Sequence, residues 1–212
     1  MTTPNSTSSK APSALLKTRH LYDTKYYLTA CEGHTCNVDI LSPRLQSVYN
    51  AALPHLKGIV LDVGCGRGEL TIRAARLEAV QQVHSIDYSP DAIRILLDNL
   101  GKENTTITDK VHIHMDTVDT FLSYTNVSYN CVLLSDVVEH IPFVAAQVLI
   151  KSLSLVTKTI IVSTPISQAH PNECHLWLAR SEVDISQMAP DFRVINHGYA
   201  GSGEDYIFEL LG

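Results

Sequence analysis

The chain has 212 residues, 45% of them hydrophobic and 18% charged, with a net charge of −6 at pH 7. That length suits one domain with a real core, and the composition is ordinary for a soluble globular protein. No run is long enough to span a bilayer, no basic stripe marks a nucleic-acid surface, and the N-terminus shows no charged-then-apolar leader.

The five cysteines (Cys31, Cys36, Cys65, Cys131 and Cys174) are odd in number and scattered. They point to free thiols in a reducing compartment, hence to the cytoplasm. In chain order, residues 1–14 are rich in Thr, Ser and Pro and read as a disordered tail. Asn5 opens an Asn-Ser-Thr acceptor triplet that carries no weight without a leader. Residues 15–57 form an aromatic helical cap, with Tyr22, Tyr26 and Tyr27 and a helix from Pro43 to Tyr49. Cys31, His34 and Cys36 cluster there but fall short of a four-ligand zinc pattern. The remaining 58–212 alternate strand and helix. The apolar run at Ile59 to Val63 predicts a buried parallel strand, followed by glycines and a helix from Glu69 to Leu77. Val83 to Asp87 predicts a second strand, with Ser89 as N-cap and Pro90 in the first helical turn. Further strands are expected at Val111 to Met115, Tyr129 to Ser135 and Thr159 to Thr164, with a helix from Phe143 to Val156 between the last two. A helix from Ser181 to Met188 and two strands, Phe192 to Gly198 and Tyr206 to Leu211, close the chain.

The glycine turn carries the functional signal. Gly64, Gly66 and Gly68 recur at every second position, where they permit positive φ and let the backbone approach a ligand. The next helix points its free N–H groups at the same place. The spacing is not the Gly-x-Gly-x-x-Gly of dinucleotide folds, and no Gly-Lys-Ser/Thr follows, which argues against a phosphate loop. Asp62-Val63-Gly64-Cys65-Gly66-Arg67-Gly68 resembles the first motif of class I S-adenosylmethionine-dependent methyltransferases. Ile86-Asp87-Tyr88-Ser89-Pro90-Asp91 resembles their second, with Asp87 about 20 residues past the glycines, where an acid accepts ribose hydroxyls. Tyr22-Asp23-Thr24-Lys25-Tyr26-Tyr27-Leu28 is similar to the lead-in of a bacterial subgroup, in which lead-in helices cover the cofactor.

The resemblance implies a Rossmann-like α/β fold: a seven-stranded sheet, mostly parallel with an antiparallel last strand, and helices on both faces. It implies that Asp62, Gly64, Cys65 and Gly66 line the methionine end of S-adenosylmethionine, that Asp87 with Tyr88 takes the ribose, and that Asp116 with Thr117 or Met115 meets the adenine. Ser135 would close the cofactor edge after the fourth strand. The acceptor side lies at the carboxyl ends of the strands. A hydroxyl acceptor needs a base, and His140, His170 and His175 are placed to serve; His140 and His175 are the chosen candidates.

Asp136, Glu139 and His140, spaced i, i+3, i+4, would share one face of a helical turn and with His175 or His170 could bind a divalent metal. Ubiquinone-pathway O-methyltransferases carry a similar stretch, and small-RNA 2′-O-methyltransferases bind a metal through two glutamates and two histidines. Whether this chain holds a metal stays open. The Asn/Asp-Pro-Pro-aromatic motif of DNA amino-methyltransferases is missing, since that place reads Ser135-Asp136-Val137-Val138, and no Pro-Cys nucleophile points to cytosine chemistry. The expected activity is methyl transfer from S-adenosylmethionine to oxygen or nitrogen of a small-molecule acceptor of sugar or natural-product type, by a monomer or homodimer without nucleic-acid or membrane partners. The alternatives are a metal-assisted RNA 2′-O-methyltransferase and a non-catalytic module that binds the cofactor.

Overall fold

A computed structural model of the chain describes residues 22–29, 38–165, 175–177, 182–200 and 205–212. The tail at 1–14, and with it Asn5, Cys31, His34, Cys36, His170 and Cys174, lies outside the described residues. Two helices come first, α1 (Thr24–Thr29) and α2 (Pro43–Ala52), with a 3-10 turn at Leu53–His55. Then follow β1 (Gly58–Val63), α3 (Glu69–Ala75), β2 (Val80–Asp87), α4 (Pro90–Leu100), α5 (Thr105–Thr108), β3 (Val111–Met115), α6 (Val118–Tyr124) and β4 (Cys131–Ser135). A 3-10 turn at Val138–His140 leads to α7 (Phe143–Leu153), β5 (Thr159–Pro165), α8 (Glu182–Met188), β6 (Arg193–Ala200) and β7 (Asp205–Leu211).

The seven strands form one sheet in the order β3-β2-β1-β4-β5-β7-β6. The first five pair in parallel, and β7 runs antiparallel between β5 and β6. The chain builds outward from β1 through β2 to β3, then returns to place β4 on the other side of β1. That reversal opens a crevice at the carboxyl ends of β1 and β4.

Alternation along each strand feeds two cores. Leu61, Val63, Ile86, Val132, Leu134, Ile160 and Val162 face α6, α7 and α8. Val60, Val83, Cys131, Leu133 and Ile161 face α2 and α3. The caps follow the sequence: Ser42 accepts from Leu45 N–H at the start of α2, and Ser89 accepts from Ala92 N–H at the start of α4. The fourth strand starts at Cys131 rather than Tyr129, which keeps only a single bridge to Thr157. Asn130 interrupts the ladder there, because its side-chain oxygen takes the Ile59 N–H at 2.9 Å. Among the described residues no helix is long and apolar enough to cross a membrane.

Gly68 shows how tightly the turn packs. Its φ is +83°, and a Cβ there would stand 2.1 Å from Leu96 Cδ1 on α4. Gly198 has the same φ with nothing within 4 Å of its virtual Cβ. Both should lose about 1 kcal/mol or more to left-handed strain as alanine. Gly68→Ala should lose a further 1–3 kcal/mol, roughly, to overpacking. Urea denaturation midpoints of the two variants would show the difference, and equal midpoints would contradict it.

Candidate active site

The strand-to-helix turn after β1 is the base of the site. Gly64, Gly66 and Gly68 all take positive φ, at 69°, 53° and 83°. The Gly64 and Cys65 N–H groups donate to Ile86 O at 2.8 and 3.0 Å, and Gly68 N–H closes the turn onto Cys65 O at 2.9 Å. Gly66 N–H donates to Asp87 Oδ2 at 3.0 Å. A Cβ on Gly64 would lie 2.5 Å from Val137 Cγ2, so the β4 loop can close over this turn only if residue 64 has no side chain.

Two acids stand at the ends of neighbouring strands. Asp62 is 2% exposed, and its carboxylate accepts from Thr71 Oγ1 at 2.6 Å; Thr71 in turn shares a hydrogen bond with Ser85. Burial pushes the Asp62 carboxyl up to about 7, opposed by the Thr71 bond. Asp87 is pushed up to about 6 by burial, opposed by backbone N–H groups. Ser89 N–H donates to its Oδ1 at 2.8 Å and Gly66 N–H to its Oδ2. Tyr88 N–H is a third backbone donor to this carboxylate, which with about four lone-pair sites can still accept from a hydroxyl. Burial raises the Cys65 thiol well above its ordinary range, which keeps it neutral and unreactive.

The crevice has two lobes that meet at Gly64, Asp87, Tyr88 and Val137. The polar lobe adds Asp62, Cys65, Gly66, Ser135, Asp136 and His140, roofed by Tyr22, Tyr26, Tyr27 and Arg44. The apolar lobe is lined by Val63, Ile86, Thr117, Val118, Ile141 and Leu149, with Asp116 and Asp119 at its rim. Thr117, not Met115, faces this lobe; Met115 points away and is exposed. Asp116 accepts from Thr117 N–H at 2.8 Å and from Tyr124 Oη at 3.4 Å. The arrangement suits an elongated ligand with a polar, zwitterionic end, a diol in the middle and a flat apolar end.

α1 and the two residues before it lie across the polar lobe as a strap. Ser89 Oγ donates to Tyr22 O at 2.7 Å, Thr24 Oγ1 to Asp91 Oδ1 at 2.7 Å, and Arg67 Nη1 to Tyr27 O at 3.2 Å. Opposite the strap, His140 ends the 3-10 turn after β4, and its Nδ1 lies 2.8 Å from Tyr22 Oη. His175 stands one ring back from the crevice, its imidazole 4.9 Å from that of His140. Two bonds hold its segment there: Leu176 N–H to Glu139 O at 2.7 Å, and Trp177 Nε1–H to Val138 O at 2.8 Å.

The expected Asp136, Glu139, His140 face does not form. Asp136 takes a left-handed φ of 55°, and the next turn is 3-10 rather than α-helical, so i, i+3 and i+4 do not align. Its carboxylate pairs instead with the Arg44 guanidinium from α2. Glu139, buried at 1% exposure, His140 and His175 do converge, with one ligand atom of each within 4.8 Å of the others. Arg44 was not singled out from the sequence, where no local pattern links it to a residue 92 positions away. Thr71, which holds Asp62, was likewise missed, although its place two residues into α3 faces β1.

Residues 60–159, just under half of the chain, match the family described as "Methyltransferase domain". Among solved structures, the methyltransferase domain of bacterial CtHen1 matches at 18% identity over 80% of this chain and 96% of that one, with a TM-score of 0.63. Magnesium protoporphyrin IX methyltransferase from Synechocystis PCC 6803, with bound S-adenosylmethionine, matches at 18% identity over 96% of this chain and 86% of that one, TM-score 0.59. The glycopeptide N-methyltransferase MtfA, also with S-adenosylmethionine, matches at 14% identity over 84% and 97%, TM-score 0.63. At such identities the likeness is one of fold. Residues 60–159 thus carry the methyltransferase-domain match, and the chain has the Rossmann-like architecture of solved methyltransferases that bind S-adenosylmethionine.

A pH test follows from Asp87. Hydroxyl donors favour the carboxylate, so affinity should rise as Asp87 ionises through about 6. Between pH 5 and 7 calorimetry should show S-adenosylhomocysteine binding tighten by about tenfold, as the competent fraction grows, and Asp87→Asn should flatten the profile. The free protein has the opposite sign. Its raised carboxyls favour the neutral form, so their contribution to stability falls as pH climbs from about 4 towards 7.

Proposed function

We propose that the enzyme moves the methyl group of S-adenosylmethionine to oxygen or nitrogen of a small-molecule acceptor of sugar or natural-product type, in the cytoplasm. The observation that carries this reading is His140 on the wall of the polar lobe, across from the strap tyrosines. In this reading Asp62, Gly64, Cys65 and Gly66 hold the amino-acid end of the cofactor and Ser135 closes the edge beside it. Asp87 and Tyr88 take the ribose, and Asp116 and Thr117 border the adenine in the apolar lobe. The bound cofactor supplies an electrophilic methyl on a sulfonium. The chain aligns the acceptor with it and excludes water, which is the larger part of catalysis for an in-line displacement.

A hydroxyl acceptor must also lose a proton. His140 takes it on Nε2, and the Glu139 carboxylate, 3.8 Å from that atom, stabilises the imidazolium. His175 braces the His140 ring from behind. An amine acceptor that is already neutral needs only the alignment. The net charge of −6 and the acidic rim at Asp116 and Asp119 disfavour a polyanionic substrate. The likeness of Asp136-Val137-Val138-Glu139-His140 to ubiquinone-pathway O-methyltransferases supports oxygen as the acceptor atom.

One observation favours a second reading. Glu139, His140 and His175 have the donor set of a divalent-metal site. A metal held there would place a Lewis acid beside the acceptor hydroxyl, in keeping with a metal-assisted 2′-O-methyltransferase.

The two readings separate in one experiment. Labelled methyl from S-adenosylmethionine should enter a pool of small metabolites, survive chelation, and stay out of short RNAs. His140→Ala should cut turnover on a hydroxyl acceptor by 10²–10⁴, roughly, with cofactor affinity little changed. Chelator-sensitive label in RNA would overturn the first reading in favour of the second.

A further inference from the structure

β3 is an edge strand of the sheet, and it carries His112-Ile113-His114. Residues two apart on a strand share a face, so both histidines stand on one side of β3. β2 adds His84, which is paired with His112 in the parallel register. His84 Nδ1 and His114 Nε2 lie 3.2 Å apart, in rings inclined by only 11° with centroids 5.3 Å apart. The His112 ring lies 4.9 Å from the His84 ring. Phe121 of α6 covers His114 at 4.6 Å, and Tyr129 approaches His84 at 5.5 Å, centroid to centroid. His112 Nε2 is buried with no hydrogen-bond partner among the described residues. A buried ring nitrogen without a partner costs free energy, and an aliphatic side chain in its place would avoid that cost. Packing of the sheet edge alone therefore does not account for three imidazoles gathered at one place.

We propose that His84, His112 and His114 form a binding site for a divalent transition-metal ion of the zinc type, bridging β2 and β3. Imidazole nitrogens bind zinc at about 2.0–2.1 Å in a tetrahedral arrangement, which sets two of them about 3.3 Å apart and their ring centroids about 5 Å apart. The His84 and His114 nitrogens already stand at 3.2 Å, and the centroid distances of 4.9 and 5.3 Å match as well. An ion can thus replace the hydrogen that these two nitrogens share. The ring that donates there shifts its hydrogen to its other nitrogen, and both imidazoles stay neutral. The third nitrogen does not yet fall within 4.8 Å of both others. His112 completes the set by turning about its Cα–Cβ and Cβ–Cγ bonds, which gives its unmatched nitrogen a partner. Imidazole ligands suit zinc, nickel or copper, whereas magnesium and calcium take oxygen. Water fills the fourth position. The bound ion would tie the edge strand to β2 three residues before Asp87 and two before Asp116. Its ligands belong to β2 and β3, whereas Glu139, His140 and His175 gather beyond β4. The inference is independent of the methyl-transfer reading of the crevice.

The test is equilibrium dialysis of the full chain against zinc, with anomalous scattering above the zinc edge to place the ion in crystals of the wild type. The anomalous map should show an ion between His84 and His114 with the His112 ring turned onto it, and this needs no variant to fold. In solution, His84→Gln and His114→Gln should each weaken zinc binding at this site by more than about 100-fold, because loss of a partner that merely supports a ligand already costs about 10–100-fold. Glu139→Gln should leave this binding in place. Absence of a peak at the three histidines, or a peak confined to Glu139, His140 and His175, would overturn the proposal. So would a peak in the crystal without zinc retained in dialysis, which would mark loading at crystal concentration only. Zinc retention lost in Glu139→Gln but kept in His84→Gln and His114→Gln would overturn it equally.

Discussion

The hydrogen bond from Gly66 N–H to the Asp87 carboxylate joins the two halves of the crevice. Gly64 and Cys65 N–H both reach Ile86 O, so three successive turn residues are fastened to the last two residues of β2. The glycine turn and the acid on the next strand are thus one object. Glycine is required on one side because the turn runs through φ values of 53° to 83°. An acid is required on the other because only an acceptor with spare lone pairs can bind the turn and a ligand together. The α4 N-cap hangs on the same carboxylate through Ser89, and the strap hangs on Ser89.

The electrostatics of the crevice point the same way. Asp62 and Asp87 are both buried, and each raises the cost of ionising its neighbourhood: Asp87 and Glu69 add to the upward push on Asp62, and Asp87 adds to that on Tyr27 and Cys65. Arg44 and Arg67, the cations that line the polar lobe, are engaged with Asp136 and with Glu69. A ligand bearing an ammonium and a sulfonium supplies positive charge at the place where buried carboxylates need it. A nucleotide phosphate in the polar lobe would meet two acids instead.

The sequence was most legible where order is local. Strand alternation, the Ser42 and Ser89 caps and the glycine turn fixed the βα order, and β7 closed the sheet antiparallel as expected. Asp62, Gly64, Cys65, Gly66, Asp87, Tyr88, Thr117 and Ser135 all reach the crevice because each lies at the carboxyl end of a strand or just beyond it. Asp136 was misread for a definite reason. The i, i+3, i+4 rule presumes an α-helix, while the chain leaves β4 through a left-handed residue into a single 3-10 turn. The ion pair with Arg44 spans 92 residues and the contact of Tyr22 with His140 spans 118. Neither leaves a periodic trace, so only the folded chain reveals them. Beyond β5 the regular pattern again announced a helix and two strands, while His170 lies outside the described residues.

The strap explains why so small an element matters. A six-residue helix has no stability of its own in water, so α1 is held by what it touches. Thr24 bonds Asp91 and Arg94 and Tyr27 O accepts from Arg67 beside the glycine turn, while Tyr22, just before the helix, is tied to Ser89. Its buried apolar partners, Ala92 and Ile95, belong to the first two turns of α4, directly behind Asp87. The contacts that hold the strap are therefore drawn from the same loops that form the crevice. Anything that orders those loops and touches Tyr22, Tyr26 or Tyr27 from below stabilises those contacts by linkage. Strap and crevice therefore share the contacts at Ser89, Asp91 and Arg67.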